Sequence, residues 1–171
     1  MSGDDTLTEL LTEAVAHSRR HVENGGLPFV GVVVGPDGLV SPPGFNQVRE
    51  TGDPTAHAET VAIRAVAARH GPSALIGATL LATGEPCSLC YRFAADHGIE
   101  RVIYAVDQDT AATWGFDYRT RVGRLTPAQR ALVGGAEHRP VPGRLDPFAT
   151  YLRMRGLPSP DTAPSALSKD S

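Results

Sequence analysis

Two short stretches carry residues that packing alone does not call for. In DPTAHAET, residues 53–60, a histidine and a glutamate open a long apolar run; in EPCSLC, residues 85–90, stand the two cysteines of the chain, Cys87 and Cys90. Residues three apart on a helix project within about 60° of each other, so this pair can grip one ion. In the first turn of a helix, exposed N–H groups and the helix dipole also favour thiolates. His57 and Glu59 behave differently, because residues two apart on a helix diverge by about 160°. They share a site only if it lies off the N-terminal end of their helix. If the strands before the two helices run in one direction, both helices begin at the same edge of the sheet, where open α/β folds place their sites. His57, Cys87 and Cys90 then converge there.

One histidine and two thiolates make the three-ligand pattern of a catalytic zinc, with a fourth position left for water. Zinc lowers the pKa of such a water to about 7. Glu59, adjacent but not a ligand, is then placed to carry the water's proton to a leaving group. The competing reading is a zinc staple without catalysis. That needs a fourth protein ligand, such as His70 or His97, and has no use for Glu59.

The elements that must position these residues are written in the hydrophobic pattern. Leu7, Leu10, Leu11, Val15 and Val22 predict a first helix from about 6 to 23, with Thr6 and Glu9 as a capping box and Gly25 as its stop. Residues 28–48 read as two strands around the Pro36-Asp37-Gly38 turn, with Pro42 and Pro43 placing the second near a sheet edge. The glycines of this stretch lack GxGxxG spacing and lead into a turn, which excludes a nucleotide loop. The run from Ala56 to His70 is apolar on nearly every side and predicts a helix buried between layers, ended by Gly71 and Pro72. ATLLAT (78–83) and RVIYAV (101–106) read as short buried strands separated by a helix that starts at CSLC and closes at Gly98. Such alternation predicts an α/β layered fold with parallel strand pairs. Beyond Val106, residues 107–124 read as loop with helical turns, 126–134 as a short helix with Pro127 at its start, and 145–156 as a final amphipathic helix. Residues 157–171 are rich in Pro, Ser and Asp and read as a disordered tail, leaving 1–156 as one domain.

A chain of 171 residues buries roughly two thirds of its unfolded surface around one core. Its net charge of −3, with 41% hydrophobic and 20% charged residues, is that of an ordinary globular protein. Lys169 is the single lysine. The mildly acidic balance gives no general attraction to phosphate backbones and argues against a nucleic-acid partner. No stretch approaches the eighteen or so apolar residues of a membrane span, so a cytoplasmic protein without membrane attachment is expected. A reducing compartment leaves Cys87 and Cys90 free for a metal or for redox chemistry.

TAHAE, followed thirty residues on by EPCSLC, resembles the cytidine deaminase superfamily of zinc-dependent nucleobase and nucleoside deaminases, whose signature pairs HxE with PCxxC. The likeness runs from about Pro28 to Arg155. Within that superfamily DPTAHAE, GEPCSLC, WGFDYR and LDPF most resemble the bacterial guanine deaminases; the transfer-RNA adenosine deaminases share the first two. The resemblance implies a three-layer α/β/α sandwich around a five-stranded mixed sheet, with Zn2+ on His57, Cys87 and Cys90. It also implies Glu59 as proton shuttle, Asn46 on the substrate ring and Phe29 in the pocket lining. A homodimer is implied as well, in which the C-terminal helix is exchanged to cap the neighbour's site. Two features depart from the guanine deaminase pattern: Tyr118 stands where an acidic residue commonly follows GFD, and a Pro-rich tail replaces the closing aromatic. Asp117 and Tyr118 are then the candidates for contacts to the substrate. The expected activity is hydrolytic release of ammonia from a small aminated heterocycle, either guanine or a related purine, or a cytosine- or triazine-like base. The alternatives are transfer-RNA adenosine deamination and a non-catalytic zinc module.

Overall fold

The structure, a computed structural model, describes residues 2–161; from residue 162 the expected tail lies outside the described residues. In chain order the elements are α1 (Gly3–Glu23), β1 (Val30–Val34), β2 (Gly44–Phe45), α2 (Val48–Thr51), α3 (Ala58–His70), β3 (Thr79–Ala82), α4 (Ser88–Asp96), β4 (Arg101–Tyr104), α5 (Gln108–Thr113), α6 (Arg119–Val122), α7 (Pro127–Arg130), β5 (Gly135–His138) and α8 (Asp146–Met154).

Two expectations are corrected. The capping box of α1 is Ser2 with Asp5, not Thr6 with Glu9: Ser2 Oγ accepts from the Asp5 N–H at 3.2 Å and Asp5 returns the bond, which starts the helix one turn earlier. The segment after α7 also continues into a strand, β5, which the local pattern does not announce. GAEH has no apolar alternation, and the strand exists because it pairs parallel with β4, from Arg101↔Gly135 to Tyr104↔His138. The short helix α2 likewise has no local signal, its N-cap Gln47 making no side-chain capping bond.

The sheet order is β2-β1-β3-β4-β5. β1 is antiparallel to both β2 and β3, while β3–β4 and β4–β5 are parallel. This is the expected mixed five-stranded sheet. Side chains alternate across it. Val33, Leu80 and Val102 face α3 and α4, packing with Ile63, Val66 and Tyr91. Val32, Leu81 and Ile103 face α1 and α8, packing with Leu11, Val15 and Phe148. Each fully buried aliphatic side chain of these two layers contributes about 1.5–3 kcal/mol relative to exposure. Among the described residues no helix is long and apolar enough to cross a membrane.

Because β2 and β3 are both antiparallel to β1, they point the same way, and α3 and α4 begin at the same sheet edge. The first turn of α3 rests directly on the β1–β2 hairpin at the cross-strand pair Gly31↔Gly44. A Cβ on Gly44 would stand 2.6 Å from the Ala58 carbonyl oxygen and 2.7 Å from the Ala62 nitrogen. Gly44→Ala should therefore force this turn off the sheet and cost about 1–3 kcal/mol, the usual range for overpacking, read as a lower urea midpoint. Gly3→Ala, whose Cβ meets nothing within 4 Å, should not lower it. Equal midpoints for Gly44→Ala and the wild type would refute the contact.

Candidate active site

The two ligand-bearing stretches meet at helix starts. His57 is the N-cap of α3 and Cys87 the N-cap of α4, both extended, and neither uses its side chain to cap. Extended N-cap residues project away from the helix end, so these two side chains point toward each other across the sheet edge. Cys90 lies one turn inside α4 and Glu59 just inside α3. Cys87 thus stands outside its helix, where the sequence pattern had both cysteines within it.

His57 Nδ1 is 3.5 Å from Cys87 Sγ and 3.4 Å from Cys90 Sγ, and the two sulfurs are 3.6 Å apart. Tetrahedral bonds of about 2.0–2.3 Å from zinc to nitrogen and sulfur imply donor separations of roughly 3.4–3.8 Å. The donor set and its spacing fit Zn2+. Neither histidine considered as a fourth ligand joins the cluster of His57, Cys87 and Cys90 found among the described residues. His97 instead bonds the Phe93 carbonyl through Nδ1 at 2.8 Å, and His70 lies at the far end of α3.

The electrostatics suit a soft cation. The hydrogen bond with Cys90, assisted by His57, pulls the Cys87 thiol down to about 4. That same bond and burial push Cys90 up. Contact with Cys87 raises His57, whose ring also bonds the Pro54 backbone, necessarily its carbonyl because proline has no N–H. Burial pushes Glu59 up to about 7; its Oε2 lies 3.6 Å from Cys90 Sγ. A divalent metal at such donors displaces their protons.

In front of the cluster opens a cavity of about 440 Å³, lined by seven of the eight residues expected at the site: Phe29, Asn46, His57, Glu59, Cys87, Asp117 and Tyr118. Cys90 is buried beside it. Their polar atoms are not equally free. Asn46 Oδ1 accepts the Val48 N–H at 3.1 Å, which leaves its amide nitrogen as a donor. The Asp117 carboxylate is held by Arg119 through Nε at 2.8 Å and Nη2 at 2.9 Å, so both of its oxygens are already engaged. The Tyr118 hydroxyl donates to the Glu85 carbonyl at 2.7 Å, leaving its oxygen as an acceptor.

Phe116 and Glu85 escape the sequence reading. Phe116 meets Phe29 edge-on at 5.4 Å and builds one wall; its place in WGFDYR, beside two residues that were singled out, was the available signal. Arg121, one of the cluster Arg119, Arg121 and Arg124 that the sequence offers as the start of a basic path around the pocket, also lines the cavity. Glu85, in EPCSLC itself, lines the cavity and is a buried partner of Arg130. Behind the wall, Phe148 of α8 stands 5.8 Å from Phe29 and 5.5 Å from Phe116.

Residues 4–106 match the family model of the cytidine and deoxycytidylate deaminase zinc-binding region. The chain is 33% identical over 159 residues to a tRNA(Ile)-lysidine synthase of Deinococcus deserti, covering 92% of this chain and 29% of that protein. It is 36% identical over 95 residues to a tRNA-specific adenosine deaminase of Aquifex aeolicus, covering 56% of this chain and 62% of that one. To a guanine deaminase of Bacillus subtilis it is 38% identical over 92 residues, covering 54% and 58%. The chain thus spans less than a third of the synthase and about three fifths of the two deaminases. The structure of a guanine deaminase from Nitrosomonas europaea has the same fold, with a TM-score of 0.67 at 19% identity over 85% of this chain and 82% of that one.

Metal analysis distinguishes ligand from neighbour. Wild-type protein should carry about one zinc per chain, as expected of a three-donor site with its fourth position open to water; Cys87→Ala should lose it and Glu59→Gln should keep it. Zinc loss from Glu59→Gln would show that the carboxylate is a ligand.

Proposed function

Because the chain belongs to the cytidine and deoxycytidylate deaminase zinc-binding family, we propose that it is a zinc-dependent hydrolase that removes the amino group of a small nucleobase-like heterocycle as ammonia. The observation that carries this reading is the buried Glu59 carboxylate beside three donors at zinc spacing, facing an aromatic-walled cavity. Bound zinc supplies a water acidified to a pKa of about 7. Glu59 takes a proton from the attacking water and delivers it to the departing amine, so that water is exchanged for ammonia at the ring carbon. Phe29 and Phe116, in edge-to-face contact, form one apolar wall against which the ring packs and exclude other water.

The free polar atoms argue for the kind of ring. Asn46 offers an N–H donor and Tyr118 an oxygen acceptor, while the Asp117 carboxylate is occupied by Arg119. A ring presenting one acceptor and one donor matches this set. Guanine, with adjacent N–H and amino donors, meets one acceptor where a free carboxylate would offer two. We therefore rank a cytosine-, triazine- or other purine-like base above guanine. We propose a reducing compartment such as the cytoplasm for this activity, since metal-binding thiols persist there.

A second reading, adenosine deamination in transfer RNA, is favoured by the likeness to the Aquifex aeolicus enzyme and by Arg121 at the cavity. Against it stands the net charge of −3, which denies long-range attraction to a polyanion. An ammonia-release screen of zinc-loaded protein over bases, nucleosides, pteridines, triazines and transfer RNA separates the two. A small base should be turned over with the highest kcat/KM, and Glu59→Gln should abolish release. A higher kcat/KM for transfer RNA than for every small compound would establish the second reading instead.

We also propose a homodimer that exchanges the segment beginning at Leu145. α8 packs on α1 and backs the Phe29–Phe116 wall, and an exchanged helix would make the same contacts in trans. Apolar Met154 and Leu157 are half exposed at its end, as residues covered by a second chain would be. Light scattering should give a dimer for the full chain and for truncation after Gly156, but a monomer for truncation after Gly143. A monomeric full chain would exclude the exchange.

A further inference from the structure

Two acidic side chains are buried among the described residues, Glu59 and Glu85. The proposed chemistry uses the first and leaves the second unexplained. The Glu85 side chain is 0% exposed and is gripped by the Arg130 guanidinium, with Nε 2.8 Å from Oε2 and Nη2 3.3 Å from Oε1. The Tyr91 hydroxyl donates to Oε2 at 3.3 Å and the Gln108 N–H donates to Oε1 at 3.1 Å. A carboxylate has about four lone-pair sites, and here all four are filled. The backbone of Glu85 is equally committed: its N–H donates to the Val106 carbonyl at 2.7 Å and its carbonyl accepts the Tyr118 hydroxyl at 2.7 Å.

These bonds lead to the working parts of the site. Pro86 alone separates Glu85 from Cys87. Tyr91 directly follows Cys90, and its N–H donates to the Cys87 carbonyl at 3.0 Å. Tyr118 lines the cavity. A buried ion pair is a weak source of net stability, because desolvation offsets most of its attraction. What it supplies over an apolar pair is direction: the Arg fork fixes both carboxylate oxygens at once.

We propose that Glu85 and Arg130 are positioning residues that set the two metal thiolates, through Pro86 and Tyr91, and the Tyr118 wall, through the Glu85 carbonyl, in one frame. This rests on the zinc reading of the cluster. Partners that orient metal ligands are commonly worth roughly 10- to 100-fold in metal affinity or activity.

The test compares Arg130→Gln, Arg130→Lys and, as a core control, Val33→Ala. Zinc retention against a competing chelator, the thiolate-to-cobalt absorption of the Co2+-substituted protein, and KM for whichever compound is turned over are measured with the melting temperature. Arg130→Gln should weaken zinc retention by roughly 10- to 100-fold, shift the cobalt band and raise KM. Arg130→Lys should fall between it and the wild type, because one ammonium cannot hold both oxygens. Val33→Ala should lower the melting temperature and leave the cobalt band in place. If Arg130→Gln lowers only the melting temperature, as the core control does, the pair is structural and the proposal fails. Should Arg130→Gln not fold, Arg130→Lys is decisive, and wild-type retention and spectrum there overturn the proposal. A wild-type protein that holds zinc but releases no ammonia would defeat the deaminase reading, while retention and spectrum would still decide this one.

Discussion

The site depends on the close approach of α3 to the β1–β2 hairpin, which is possible only because Gly31 and Gly44 face it as a cross-strand pair without side chains. His57 and Glu59 ride on the turn that rests there, so their height above the sheet edge is set by backbone against backbone. Cys87 and Cys90 arrive from the next helix along the same edge. Donor atoms from two helices must agree to within a few tenths of an ångström to share one ion, and flexible packing between side chains would not hold that tolerance. A backbone contact does.

The two buried carboxylates divide the work of a charged site between them. Glu85 accepts four hydrogen bonds, two of them from the Arg130 guanidinium, and is held rigid. Glu59, in contrast, contacts Cys90 and lines the cavity, and its burial raises its affinity for a proton. A desolvated carboxylate is costly to the fold and useful to proton transfer. A saturated one suits a frame. Their separation by chain position and by surroundings keeps the two functions from competing.

The apolar half of the cavity follows similar economy. Phe29, Phe116 and Phe148 meet edge to face at 5.4–5.8 Å, each ring fixing the tilt of the others, and Tyr151 closes the stack 4.8 Å from Phe116. Gly84 allows Phe29 to lie against the strand end, since a Cβ there would come within 2.7 Å of the ring. The wall that faces the substrate is therefore braced from behind by α8, far along the chain, and the last helix affects the pocket without lining it.

Much of this was legible in residue order alone. HxE and PCxxC are local patterns, and helix geometry by itself says that the cysteines can converge and that His57 and Glu59 meet only off a helix end. Apolar runs such as GVVV, ATLLA and RVIYA announce buried strands because burial on both faces demands unbroken hydrophobicity. GAEH announces nothing, since an edge strand with half-exposed side chains is defined by its neighbour's free carbonyls and N–H groups. The same reason explains why Asp117 is spent on Arg119, why the Tyr118 proton belongs to Glu85, and why Glu85 pairs with Arg130, 45 positions away. A sequence states which donors and acceptors a chain owns and how its near neighbours are spaced. Which donor meets which acceptor is decided only when distant segments are packed together, because a hydrogen bond is made at about 3 Å and residue order does not carry that distance.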